Sequence, residues 1–278
     1  MRRSIRAATT IVSVTLVSAN AQWLNYPSRG IPRTRDGKPN LSAPTTRGSN
    51  GRPRLSGLWQ TESAPRTVLA RLIPDATNGV GEEPLSQYFI NILSDFKPEA
   101  EPLRPDAAAQ YRQRARNFAS ESPLPRCLPE GMPLVEMAPA PYKIVETPGL
   151  ILMLYERGTI FRQVYTDGRK LPADPQPAWM GYSVGKWQGD SFVVETIGFN
   201  DRGWLDARGH THSEALRLTE RFHRLDFGHL DVQLTVDDPQ TYTTPFTITL
   251  KQKLMPDTDL LESFCAENEK DVSHTSGK

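Results

Sequence analysis

The sequence predicts a mainly β protein: an antiparallel meander closing into a barrel or a strongly curled sheet, with one or two helices towards the N-terminus. Three observations carry this. From about residue 140, short apolar runs are broken by turn residues, as in "YKIVETPGLILMLYERGTIFRQVYTDGR", where Pro148-Gly149 and Arg157-Gly158 separate two or three strands. "LDVQLTVDD" alternates strictly, with Leu230, Val232, Leu234 and Val236 on one face and Asp231, Gln233 and Thr235 on the other. Helical periodicity is confined to residues 83–118.

The N-terminus comes first. "MRRSIR" is a basic start, "AATTIVSVTLVSA" a short apolar stretch and "ANA" a small-residue cleavage signal, so residues 1–21 read as a secretory signal peptide. Export to the periplasm or the medium is expected. No later stretch reaches the roughly 18 apolar residues of a transmembrane helix, so no membrane-spanning segment is expected in the mature chain. Removing Arg2, Arg3 and Arg6 leaves 30 basic against 32 acidic residues, and no cationic surplus remains to draw nucleic acid. In an oxidising compartment two cysteines usually bridge, so Cys127 and Cys265 are expected to form a disulfide.

Residues 22–57 are rich in Pro, Gly, Arg and Ser, and "DGKPNLSA" (36–43) is echoed by "NGRPRLSG" (50–57). Units this short make two similar turns in an extended segment, not a repeat fold. Residues 58–278 then form a single β-rich domain. Within it, "EEPLSQYFINILSDF" places Leu85, Tyr88, Phe89, Ile92, Leu93 and Phe96 at helical spacing, ended by Lys97-Pro98, and "RPDAAAQYRQRARNF" is a weaker second helix. "GYSVGKWQGDSFVVETIGF" reads as a hairpin turning at Gln188-Gly189-Asp190. "PFTITLKQKL" repeats the β alternation, and "DLLESFC" reads as a short last strand. Closure of the meander hides its edges. The Gly-x-Trp of "SGLWQTES", entering a first strand ahead of such a meander, is similar to the opening of lipocalin-like barrels.

Chemistry-bearing residues are densest between 165 and 224. "DGR-x-x-P", "GYSVG-x-W-x-GD", "GFND-x-x-WLD" and "GH-x-HSEAL…ER" resemble the motifs of a family of exported bacterial proteins of unknown function. The resemblance covers most of the mature chain, including "CLPEG" and "CAEN", and implies no activity. "GYSVG" matches G-x-S-x-G on paper, but a turn follows it where a nucleophile elbow needs a helix. "GFNDRGWLDARGHTH" (198–212) is a polar loop between strands, where sites commonly sit.

The stretch after His212 fits a helix on Ala215, Leu218, Phe222 and Leu225, or a strand with Leu216, Leu218, Glu220 and Phe222 on one face. The turn "DFGH" leading into strand 230–236 favours the strand. Glu220 then points inward with three apolar residues, where a carboxylate must be paired or protonated. Glu195 is placed similarly, and Arg162 or Arg221 is the expected neutralising cation.

Two functions follow as expectations. One is binding of a small, partly apolar ligand in a barrel cavity, with Trp179, Tyr182, Trp187 and Trp204 as walls and Arg162, Glu195 and Glu220 as polar anchors. The other is a hydrolase or lyase acting on a small organic or carbohydrate substrate, with Asp201, His212 and Glu220 as acid, base or ligands. No cofactor motif is present. Zinc enters only through His210 and His212, which an extended backbone would project to one side, with Glu220, Asp206 or His223 as third ligand.

Overall fold

The computed structural model describes residues 27–74, 84–116, 121–123 and 126–265. The signal-peptide reading of residues 1–21 lies outside them. Nine strands close into one barrel: β1 (Gly57–Thr61), β2 (Tyr142–Thr147), β3 (Leu150–Tyr155), β4 (Ile160–Tyr165), β5 (Tyr182–Gln188), β6 (Ser191–Ile197), β7 (Arg217–Arg224), β8 (His229–Asp237) and β9 (Phe246–Leu254). Four short helices are described: α1 (Arg66–Leu72), α2 (Gln87–Ile90), α3 (Pro105–Arg116) and α4 (Leu134–Met137).

Every strand pairs with its sequence neighbour, and β1 closes the ring on β9. An odd number of strands cannot close with antiparallel pairs alone, and the exception falls between β4 and β5. The link 166–181 carries the chain back along the barrel, so β5 runs parallel to β4. Only Val164↔Ser183 and Tyr165↔Val184 pair across that seam, against eight pairs between β8 and β9. The seam is therefore the thinnest part of the wall.

Alternation is read out as expected. Leu230, Val232, Leu234 and Val236 of β8 are buried, as are Phe246, Ile248, Leu250 and Leu254 of β9. "SEALRLTER" ends in β7, with Leu218, Glu220 and Phe222 buried. "DLLESFC" forms no strand; a single bridge, Arg157↔Ser263, takes its place.

One barrel end, the lower, carries the turns at 148–149, 189–190 and 225–228. It is wrapped by the Arg-rich N-terminal segment, where the two echoing units form similar turns. Arg33 bridges Pro39 and Arg47 bridges Pro53, and each arginine donates Nη1–H to the glycine carbonyl four residues on. Trp59 is fully buried above them, its indole N–H donating to Leu55 O at 2.9 Å, with the Arg224 guanidinium 5.0 Å from its ring centre.

The upper end is covered by described residues of 84–116 and 126–140. The helix expected over 83–97 is cut to one turn. Asn91 leaves helical geometry (φ −148°, ψ 108°), and Asp206 Oδ2 accepts the Ile92 amide at 2.7 Å, an amide a continuing helix would spend on its own backbone. Ile90, Ile92 and Leu93 are buried all the same, so the apolar stripe marks burial correctly and geometry wrongly. The second helix forms as α3. No helix among the described residues is long and apolar enough to cross a membrane. Cys127 and Cys265 form a disulfide, with Cα atoms 5.5 Å apart and a sequence separation of 138.

Candidate functional site

Two buried polar clusters stand out, one inside the barrel and one on the loop that leaves it. The interior cluster is built on Arg162, which β4 turns inward and buries to 1% exposure. Its Nη1 donates to Glu220 Oε1 at 2.9 Å and its Nη2 to Glu220 Oε2, a bidentate pair. Nε donates to Ser183 Oγ at 3.0 Å, and Nη2 also reaches Thr196 Oγ1 at 2.7 Å. Paired inward positions on β4, β5, β6 and β7 thus satisfy one buried guanidinium.

A second carboxyl enters from above. Met132-Pro133 is cis, and α4 lowers Glu136 to within 3.8 Å of Arg162. Thr61 Oγ1 holds the helix in place through the Glu136 carbonyl at 3.0 Å. One guanidinium cannot neutralise two carboxylates. Burial, and then the Glu220 charge beside it, hold the Glu136 carboxyl well above its ordinary range, so it is the neutral acid. No donor reaches either Glu136 oxygen among the described residues, the neutral carboxyl facing the Glu220 carboxylate instead, and the Tyr142 hydroxyl has no hydrogen-bond partner there. Burial also pushes the Tyr142 and Tyr155 phenols up. Tyr155 Oη contacts Met132 and Met153 sulfurs at 3.8 Å, and these flexible thioethers line the same space.

The outer cluster lies in the loop 198–212. Asp206 is fully buried and works as a hub: Oδ1 accepts the amides of Arg208, Gly209 and His210, and Oδ2 accepts that of Ile92. His210 Nδ1 lies 2.5 Å from Asp206 Oδ2, so the ring proton sits on Nδ1 and Nε2 is left as an acceptor. That Nε2 is buried and has no partner among the described residues. Tyr111 of α3 stacks on the imidazole with ring centres 4.0 Å apart. His212 follows a different path. Its Nδ1–H donates to Ser213 O at 3.1 Å, and a Cβ on Gly203 would stand 2.8 Å from its Nε2, so glycine is needed there. Burial holds the His212 imidazole below its usual range.

The residues singled out in the sequence distribute unevenly. Of the two cations expected for Glu220, Arg162 meets it, while Arg221 donates to Gln188 Oε1 at 2.8 Å on the exposed face. Glu195 is turned outward and half-exposed, near Lys186 (3.8 Å) and Arg217 (3.9 Å), because the inward positions of β6 are Phe192, Val194 and Thr196. The aromatic residues pack against different neighbours. Trp179 sits above Gly131 with Arg202 5.1 Å from its ring. Tyr182 stacks on Tyr165 beside the exposed Arg169. Trp204 packs under Arg114. Trp187 points inward at the lower end, 5.4 Å from Phe192.

Asp201 is exposed, and it lies apart from Glu220, which the barrel encloses. His210, His212 and Glu220 do not converge either: no group of three metal-ligating side chains occurs among the described residues. On a plain extended backbone the two histidines would share a side. Gly209 at φ 94° and the Leu205 N–H to His210 O bond fold the chain instead, which delivers His210 to Asp206. Sequence reasoning missed Glu136, Asp206's role as hub, and Tyr111. The four-residue Asp206–His210 spacing was a usable signal; for Glu136, on a single helical turn, none was available.

Fold and clusters together define a mainly β, mixed nine-stranded barrel with a buried ionic core. The chain matches no protein-family model, no curated protein and no solved structure in the comparisons made.

Proposed function

We propose that the protein binds a small, partly apolar molecule inside the upper half of the barrel. The observation that carries this is a set of buried polar groups with unfilled hydrogen-bonding capacity: the Glu136 carboxyl, whose oxygens accept from no donor among the described residues, and the Tyr142 hydroxyl. Leaving such groups unsatisfied costs about 1–3 kcal/mol each, and a bound molecule that both donates and accepts hydrogen bonds removes that cost. Because Glu136 is neutral and Arg162 is already matched by Glu220, the fitting ligand is uncharged, an alcohol or amide on an apolar body. A cavity of about 200 Å³ at the thin β4–β5 seam, bordered by Arg162, Met180, Gly181 and Ser183, supports a route to the cluster. Export accords with the basic and apolar start of the chain and with the disulfide.

Thermal shift of the purified protein against a panel of neutral alcohols and amides tests the reading. A binder should raise the Tm of the wild type, by the equivalent of about 2.7 kcal/mol at a hundredfold excess over Kd, and leave Glu136→Leu unmoved. Equal shifts in both proteins, or none in the wild type, defeat it.

A second reading, a hydrolase or lyase of small organic or carbohydrate substrates, is favoured by one observation: His210 has Nδ1 fixed by Asp206 and Nε2 free to accept a proton. It moves the base from His212 to His210. Hydrolysis of p-nitrophenyl esters and glycosides that vanishes in His210→Asn would support it, and rates unchanged by that substitution would remove it.

A further inference from the structure

The lower end of the barrel holds a cavity of about 580 Å³, within the usual range for small-ligand sites. Its charge is lopsided. Arg29, Arg47, Arg54, Lys143 and Arg224 border it, against one carboxylate, Asp259. Two of these cations have partners: Arg47 pairs with Asp190 at 2.6 Å, and Lys143 lies 3.6 Å from Asp259. Arg29, Arg54 and Arg224 form no salt bridge among the described residues.

Arg224 is the telling member, because it is 6% exposed and still faces no carboxylate at contact distance. Its guanidinium donates only to carbonyl oxygens, those of Arg54, Asp226 and Phe227. The nearest acids are occupied elsewhere. Glu146 Oε2 accepts from the amides of Leu55 and Ser56 and from the Ser56 hydroxyl, and Asp226 Oδ1 accepts from Gly228 and His229. Burial accordingly holds the Arg224 pKa down to about 10. A second observation lies in the same lining: Thr258 Oγ1 is buried with no hydrogen-bond partner among the described residues. The remaining wall is apolar, contributed by Ile31, Leu58, Phe227, Leu254 and Met255.

We propose that this cavity is a binding site for a small organic oxyanion, a carboxylate, phosphate or sulfate group carried on a compact apolar body. The Arg-rich N-terminal segment is what builds it. The two echoing turns fold back over the barrel end and carry Arg29, Arg47 and Arg54 to meet Lys143 of β2 and Arg224 of β7. Guanidinium groups suit planar or tetrahedral oxyanions, and the fork donates two parallel hydrogen bonds to them. The site lies at the end of the barrel opposite Glu136, and its ligand is anionic where the other is uncharged, so it stands independently of the neutral-ligand reading above.

Isothermal titration of the intact protein with citrate, benzoate, phenyl phosphate and phenyl sulfate tests the proposal, with sodium chloride at matched ionic strength as control. Saturable binding of at least one oxyanion is expected, weakened by added salt. The double variant Arg29→Ala/Arg54→Ala alters two exposed side chains and keeps the Arg54 carbonyl that Arg224 uses; it should bind about tenfold or more weakly, as loss of charge-assisted bonds implies. Glu136→Leu should bind the oxyanion like the wild type. The proposal is overturned if no oxyanion binds more tightly than chloride, or if the double variant, shown folded by its circular dichroism, binds like the wild type.

Discussion

The barrel interior and the loop outside it each bury an acid beside a nitrogen base, and they do so by opposite means. Inside, Glu136, Arg162 and Glu220 come from three elements far apart in sequence, and a permanent cation offsets one of two carboxyls. Outside, Asp206 and His210 lie four residues apart, and the acid is satisfied chiefly by backbone amides of its own loop. The first arrangement locks strands together and stores an uncancelled carboxyl as a neutral acid. The second locks one loop onto the cap and leaves a buried imidazole nitrogen without a hydrogen-bond partner among the described residues. The interior is therefore the place where removing charge should do most damage, and the loop the place where it should be most local.

The largest effect expected is from Arg162→Met. Removing the guanidinium strands Glu220 in the interior, and breaking a buried pair in this way costs about 3–5 kcal/mol. Urea unfolding should show that loss, and the double change Arg162→Met/Glu220→Leu should recover much of it. If the double variant is no better than the single one, the pair is not what makes the single change costly.

Asp206→Asn should come next, at about 2–3 kcal/mol, the scale of hydrogen bonds to a charged acceptor whose donors are then left buried. The damage should stay local. Amide hydrogen exchange should rise at Ile92 and at 208–210 and stay low across β8 and β9. Protection lost across the whole barrel would erase the distinction between the two clusters.

How far the sequence discloses each cluster follows from this contrast. Glu220 and its inward face are legible because β alternation has a period of two and the apolar residues around it fix the phase. The need for a cation beside it is legible as well, but the sequence leaves Arg162 and Arg221 open, and the inward register of β4 decides for Arg162. The barrel closure is legible too, though the parallel β4–β5 seam is not, since it depends on where the irregular link 166–181 returns the chain. Glu136 is hidden: a single helical turn has no period to read. The helix expected over 83–97 fails because a tertiary partner, Asp206, takes the Ile92 amide from it. For the histidines, spacing alone suggested a shared ligand, while the positive φ of Gly209 sets their true directions.

Acid and base also predict opposite dependences on pH. Glu136 is raised above its ordinary value of 4.5 by burial and by Glu220. Above pH 4.5 the unfolded chain releases that proton while the folded chain keeps it, so the unfolded state binds fewer protons and stability falls as pH rises. The urea midpoint of the wild type should therefore decline from pH 5 upward more steeply than that of Glu136→Gln. Parallel profiles would mean that Glu136 is ionised in the fold.

His212 should give the smallest effect, with the reverse slope. Burial lowers its pKa below the ordinary 6.5, so below pH 6.5 the unfolded chain takes up a proton that the folded chain refuses. Stability contributed by the neutral ring is complete above pH 6.5 and is lost as pH falls towards the lowered folded value. His212→Gln removes the titration, at the cost of the Nδ1–H to Ser213 O bond, about 1 kcal/mol at all pH values. The difference in urea midpoint between wild type and His212→Gln should thus shrink on acidification from pH 7 to pH 5. A difference that stays constant over that range would show the imidazole accepting a proton in place, and would make the loop as tolerant of charge as the barrel interior is of its ion pair.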